Sequence, residues 1–190
     1  MEKKIELIVA DISNSLAQAN AYALLMQEKE GERKLPVIIG SIEAQAIAFK
    51  LKNFKSPRPF THDLFVSFAE MFNTRLKEVL IYKVLEGVFY SYLFFERDGE
   101  EYRLDARTSD AVALALRFDC PIYTTEAILQ TESIRTEDGG AFSVPITVVG
   151  IPVLKEALLK AVADENYELA SQLRDEIRKR EEQDNQEQLI

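Results

Sequence analysis

The stretch EVLIYKVLEGVFYSYLFFERDGEEYRLDA, residues 78–106, decides the fold. Alternating residues run through it, and two turn dipeptides, Glu86-Gly87 and Asp98-Gly99, divide it into three segments. An Asp-Gly pair between alternating runs signals a two-residue hairpin, because both central positions take positive φ. The spacing predicts a three-stranded meander with strands at about 78–85, 88–96 and 101–105.

Working outward, residues 3–12 alternate through Ile5, Leu7 and Val9 and read as a strand. Residues 20–28 read as another, turning at Glu30-Gly31-Glu32 into Leu35-Pro36-Val37-Ile38-Ile39. Pro121-Ile122-Tyr123 is a short strand or extended link. Helices are expected from Ser41 to Phe54, from Thr61 with apolar Leu64, Phe65, Phe68 and Phe72, and from Thr108 or Ser109 to Phe118. A brief one starts at Thr125, and Ser41 and Thr61 are the expected caps of the first two. Pro57 and Pro59 keep residues 56–59 out of any helix. These elements make an α+β fold, a mixed, mostly antiparallel sheet with packed helices, followed by a C-terminal helical hairpin. The first unit spans residues 1–130. Residues 131–150, with Gly139-Gly140 and Pro145, read as a linker or flap. Within 151–184, Leu154, Leu158, Ala161 and Val162 suit one helix, Asp164-Glu165-Asn166 a turn, and Tyr167, Ala170, Leu173 and Ile177 a second helix. Residues 185–190 are expected to fray.

The chain has 190 residues and a formal charge of −9, so it lacks the basic footprint of a protein that holds nucleic acid by phosphate neutralisation alone. Transient contact with nucleic acid remains open, and Lys50, Lys52, Lys55 and Arg58 form one local basic run. No apolar run is long enough to span a bilayer and no signal peptide is evident, so no membrane contact is expected. With a single cysteine, Cys120, an internal disulfide is ruled out, and the cytoplasm is the expected compartment. There is no Walker loop, dinucleotide glycine fingerprint or zinc spacing.

Two blocks concentrate the polar chemistry. Arg58-Pro59-Phe60-Thr61-His62-Asp63 contains the only histidine, and Asp105-Ala106-Arg107-Thr108-Ser109-Asp110 follows some forty residues later. Asp63, Asp105 and Asp110 are candidate ligands for a hard cation, Mg²⁺ or Mn²⁺. His62 is a candidate base, with Asp63, Asp105 and Asp110 completing the catalytic set, because imidazole exchanges protons near neutral pH. Arg58 and Arg107 are candidate phosphate holders. The competing reading makes Asp63, Asp110 and Glu43 acids that favour a helix dipole, and Asp105 and His62 structural hydrogen-bond partners. Phe89, Tyr90, Tyr92, Phe94 and Phe95 read as core or dimer packing rather than base-stacking residues.

The blocks Leu35-Pro36-Val37-Ile38-Ile39-Gly40 with Glu43-Ala44, Arg58 to Leu64, Asp105 to Ala111, and Pro121-Ile122-Tyr123 closely resemble the bifunctional nuclease (BFN) domain family over roughly residues 1–130. The resemblance implies a compact α+β domain, often dimeric, with nuclease activity towards DNA and RNA. Tyr167-Glu168, Ala170, Leu173-Arg174-Asp175 and Ile177 resemble the UVR motif of the UvrB and UvrC repair proteins, with Ser171 where a small alanine is usual. That implies a protein partner, docked through Tyr167, Ala170, Leu173, Arg174 and Ile177. The expectation is a metal-assisted nuclease, a homodimer with nucleic acid as its transient substrate. The alternative is a non-catalytic adaptor or small-anion sensor.

Overall fold

The structure, a computed structural model, describes residues 3–14, 21–134 and 151–163, and positions 167, 170, 171, 173–175, 177 and 178. The expected flap beyond residue 134, the turn at 164–166 and the tail at 185–190 lie outside the described residues.

The meander forms as the spacing predicts. β4 (Arg75–Leu85), β5 (Val88–Arg97) and β6 (Glu100–Arg107) pair antiparallel in sequence order. Both turns carry two positive φ values, 52° and 75° at Glu86-Gly87 and 54° and 81° at Asp98-Gly99. Left-handed turns of this kind match the twist of the flanking strands. β1 (Lys4–Asn14), β2 (Ala21–Glu28) and β3 (Lys34–Gly40) form a second antiparallel set. β7 (Ile122–Thr125) joins the halves, antiparallel to β1 and parallel to β4. The result is one seven-stranded mixed sheet of order β3-β2-β1-β7-β4-β5-β6.

Helices α1 (Ser41–Leu51), α2 (Thr61–Met71) and α3 (Thr108–Phe118) pack together, with α3 lying against β4, β5 and β6. Its run Ala111-Val112-Ala113-Leu114-Ala115 is buried throughout, since small residues let the helix approach both the sheet and its neighbours. α4 (Glu126–Glu132) follows β7 and packs near β3.

The expected caps need correction. Ser41, Thr61 and Thr108 are the first helical residues, and the extended residues before them, Gly40, Phe60 and Arg107, occupy the cap positions without a side-chain bond. Thr125 does cap its helix, accepting the Ile128 N–H at 3.3 Å. α1 stops at Leu51 rather than Phe54, because Asn53 turns left-handed at φ 51°. Thr108 has a different task. Its hydroxyl donates to the Phe89 carbonyl at 2.9 Å and so must accept from Ser91 at 2.7 Å. Both hydroxyls are buried, and they fasten the start of α3 to β5, the central strand of the meander.

In the C-terminal part, α5 (Ile151–Ala163) is helical, as are the described positions from 167 to 178. Leu154, Ala161, Ala170, Leu173 and Ile177 are buried, and the last three recur at the spacing of one helical face. Among the described residues no helix is long and apolar enough to cross a membrane.

The Ser91–Thr108 pair yields a stability test. Thr108→Val keeps the shape but leaves the buried Phe89 carbonyl and Ser91 hydroxyl without their partner, a loss of about 1–3 kcal/mol. Ser91→Ala removes only a donor, so it is expected to cost less. Urea unfolding of the two variants measures the order; equal losses would contradict the assigned donor directions.

Candidate functional site

Three helix starts meet on one side of the sheet, and each carries an acid at its third position: Glu43 in α1, Asp63 in α2 and Asp110 in α3. Carboxylates there face the positive end of the helix dipole. Each also bonds an arginine. Arg107, the last residue of β6, donates from Nε to Asp110 Oδ2 at 2.7 Å and from Nη1 to Glu43 Oε1 at 2.9 Å. Arg117, in the last turn of α3, donates to Asp63 Oδ1, to the Ala113 carbonyl at 3.0 Å and to the Ala46 carbonyl at 3.2 Å. His62 Nε2 stands 3.2 Å from Asp110 Oδ1.

Exposure separates the two arginines. The Arg117 side chain is 5% exposed and sits between helices, whereas that of Arg107 is 67% exposed. Arg117 ties α1, α2 and α3 together; Arg107 bridges two acids while remaining open to an incoming anion.

Partial burial pushes the Asp110 carboxyl upward, but Arg107 and His62 outweigh it and hold the group below the usual aspartate range. For Asp63 the opposition is the same, with burial raising and Arg117 and the Phe60 N–H, at 3.1 Å, lowering to a net depression. Both carboxyls are therefore ionised at neutral pH. An ionised carboxylate only accepts, so His62 Nε2 donates and the lone pair of the neutral ring lies on Nδ1. Asp110 thus fixes the tautomer that makes His62 a proton acceptor. Cys120 is no competing nucleophile, since burial pushes its thiol up to about 12.

The structure brings His62, Asp63, Arg107 and Asp110 to these helix starts and leaves two expected site residues elsewhere. Arg58 lies exposed in the loop before α2 and makes no described ion pair with the cluster. Asp105 pairs in register with Tyr92 and accepts from the Tyr82 hydroxyl at 3.3 Å. Tyr102, an odd number of residues from Asp105, pairs with Phe95, whose ring meets Phe65 of α2 and Phe118 of α3. Asp105 therefore points to the sheet face away from these helices. The expected convergence of Asp63, Asp105 and Asp110 does not occur in this geometry. Among the described residues no group of three or more His, Cys, Asp and Glu side chains is arranged to hold a metal ion.

Arg117 escaped the sequence reading, and Glu43 was weighed as a ligand but favoured as a dipole acid. A usable signal for Arg117 was its place three and four residues after Leu114 and Ala113, a charge on an otherwise buried helical face. In the C-terminal part, Tyr167 is 68% exposed and Arg174 is exposed, bonding Asp175 at 3.0 Å. Ala170, Leu173 and Ile177 are already buried, so they hold the segment's own packing.

These carboxylates set a pH dependence. A folded-state value below the unfolded one, about 3.9, gives stability that is complete above that range and lost as pH falls through the folded value. Asp63→Asn should therefore flatten the decline of unfolding free energy between roughly pH 5 and pH 2. An unchanged slope in acid urea titrations would remove Asp63 from that role.

The model of the bifunctional nuclease domain matches residues 24–137, and that of the UvrB/uvrC motif matches residues 151–183. An uncharacterized protein of Mycobacterium tuberculosis (strain CDC 1551 / Oshkosh) is 42% identical over 119 residues, 63% of this chain and 71% of that protein. Bifunctional nuclease 1 of Oryza sativa subsp. indica is 24% identical over 118 residues, 60% of this chain and 36% of that protein. Bifunctional nuclease 1 of Arabidopsis thaliana is 21% identical over 179 residues, 83% of this chain and 55% of that protein. The chain thus spans between about a third and a little over half of these plant proteins. With the matched domain covering more than half its length and enclosing every helix start of the site, the chain belongs to the bifunctional nuclease domain family.

Proposed function

We propose that this chain hydrolyses phosphodiester bonds of DNA or RNA at the cluster of His62, Asp110, Arg107 and Glu43. The observation that carries the reading is the His62–Asp110 pair, a base with its tautomer fixed, beside the exposed Arg107. A phosphate approaching Arg107 meets a guanidinium suited to paired contacts. His62 Nδ1 accepts the proton of the attacking water, and Asp110 stabilises the resulting imidazolium. Asp63 acts one step removed, positioning α2 through Arg117.

Mg²⁺ or Mn²⁺ remains part of the proposal in restricted form. The residues do not fit a cage of three carboxylates. The proposed ion lies at Asp110 and Glu43, where it would compete with Arg107, since such ions commonly take one or two carboxylates and complete their shell with water and substrate phosphate. Bound there, the ion would neutralise charge on the phosphate. Asp105 would join only by a different route, from the far sheet face. We assign protein docking to the exposed Tyr167 and Arg174 of the C-terminal motif, and the activity to the cytoplasm.

One observation favours the adaptor or anion-sensor reading. Asp63, Asp110 and Glu43 each already bond an arginine, as they would in a purely structural clasp between helices.

Hydrolysis of labelled single-stranded DNA and RNA separates the readings. Removing a general base costs about 10²–10⁴ in rate. His62→Ala and Asp110→Asn should each lose activity on that scale, and a chelator should abolish it if the ion takes part. Activity that survives His62→Ala but vanishes in Asp105→Ala would move the site to the opposite face. Folded protein with no activity in either metal would favour the adaptor.

A further inference from the structure

Between Glu43 and Asp63 the chain carries no acid and four cations, Lys50, Lys52, Lys55 and Arg58, in a molecule of net charge −9. Arg107 and Arg117, at the candidate site, are bonded to carboxylates. Among the described residues these four have no ion pair and no side-chain hydrogen bond. Like charges this close in sequence repel one another, so the cluster gains from a polyanion laid along it.

Three aromatic rings are threaded between the cations. Phe49, half-buried near the end of α1, has the Phe54 ring at 4.8 Å and the Phe60 ring at 5.4 Å between centroids. Both outer rings remain open to solvent, Phe54 at 56% and Phe60 at 39%. Phe49 thus steadies each of them from within and leaves ring surface facing outward. The backbone between them is also constrained. The Phe54 N–H donates to the Phe49 carbonyl at 2.8 Å, and Asn53 turns left-handed at φ 51°. Pro57 and Pro59 fix their own φ and restrict the residues before them. A ligand therefore meets rings and cations already in place, which lowers the ordering cost of binding. The segment also joins the site. Phe60 stands two residues before His62, and its N–H donates to Asp63 at 3.1 Å.

We propose that residues 49–60 form a binding arm for single-stranded nucleic acid. Phe54 and Phe60 stack on unpaired bases, and the four cations hold the phosphates that lead to the candidate site. Stacking on an exposed ring needs a base with a free face, which the interior of a duplex does not offer, so the arm selects single strands. Every base has such a face, so the arm reads little sequence. Arg58 gains a task here that its distance from the cluster left open: it holds the strand rather than the reacting phosphate.

An anionic membrane surface also attracts cations and aromatic rings. It takes up a segment as an amphipathic helix lying in the interface, and here Asn53, Pro57 and Pro59 interrupt the helix. A single strand needs no such regularity, because rings and charges need only follow its backbone. The inference deepens the hydrolase reading and rests on it for what the arm serves; the arm itself is read by binding without turnover.

Fluorescence anisotropy of a labelled oligothymidine with the full chain, in chelator, tests it. A blunt duplex and vesicles of anionic lipid are the competing ligands. The wild type should prefer the single strand to both. Phe54→Ala should weaken that binding roughly five- to 100-fold. Phe54→Leu keeps an apolar contact with Phe49 but lacks a ring, and should weaken it too, whereas Phe54→Trp should retain it. Lys52→Gln with Lys55→Gln should flatten the slope of log affinity against log salt by about 1.4, since each phosphate neutralised on a single strand contributes about 0.7. This pattern in a protein that hydrolyses nothing would sustain the arm and remove the hydrolase reading. Hydrolysis in which wild type and Phe54→Ala bind and cleave alike would do the reverse. Equal affinity for the duplex, an unchanged salt slope, or binding to vesicles but not to the oligonucleotide would each overturn the arm.

Discussion

A buried guanidinium holds the three helices together. Arg117 is almost closed to solvent, yet its nitrogens reach a carboxylate on α2 and carbonyls on α1 and α3. A buried charge is tolerated only when its donors find acceptors, so helices that moved apart would leave several donors stranded. The constraint restricts where α2 can sit, and His62 follows Thr61 at the start of that helix. Thr108 supplies the complementary anchor by fixing α3 to the sheet. The distance between His62 and Asp110 is therefore set by contacts beneath them.

The acids that hold the helices are the same ones the proposed function uses. Asp110 faces the start of its own helix, bonds Arg107 and orients His62. Its environment keeps it ionised, which makes it a good acceptor and a poor acid. In the proposed hydrolysis, proton transfer therefore falls to the histidine. Arg107 joins a carboxylate from α1 to one from α3 while staying exposed. An incoming phosphate would compete with those carboxylates for its donors, so binding and loosening of the clasp are coupled.

The turn dipeptides made the meander legible, because Glu86-Gly87 and Asp98-Gly99 admit few other backbones. The helix starts were legible too, although the caps were not. A Ser or Thr at a boundary signals a helix within a residue or so, while tertiary contacts decide whether its hydroxyl caps or, as at Thr108, enters the sheet. Asp105 failed for a different reason. β5 carries aromatic residues on both faces, so its hydrophobic pattern does not reveal which one the helices cover. Pairing with Tyr92 sends Asp105 away from Asp110, five residues on. Arg117 was hidden because its partners come from α1 and α2, far earlier in the chain.

Under the proposed function, an acidic chain acting on a polyanion would have to gain at short range what it loses at long range. With a net charge of −9, the whole molecule repels phosphate out to a screening length of about 10 Å. Close in, the balance differs. Three helix N-termini and an exposed Arg107 converge, and three nearby carboxylates keep the cluster from becoming a general anion trap. Such a surface does not hold nucleic acid the way a basic groove does. It suits brief contact at a cluster where one phosphate can displace one carboxylate. Discrimination would then come from local geometry, which makes the rigid seating of α1, α2 and α3 a requirement of the chemistry as well as of the fold.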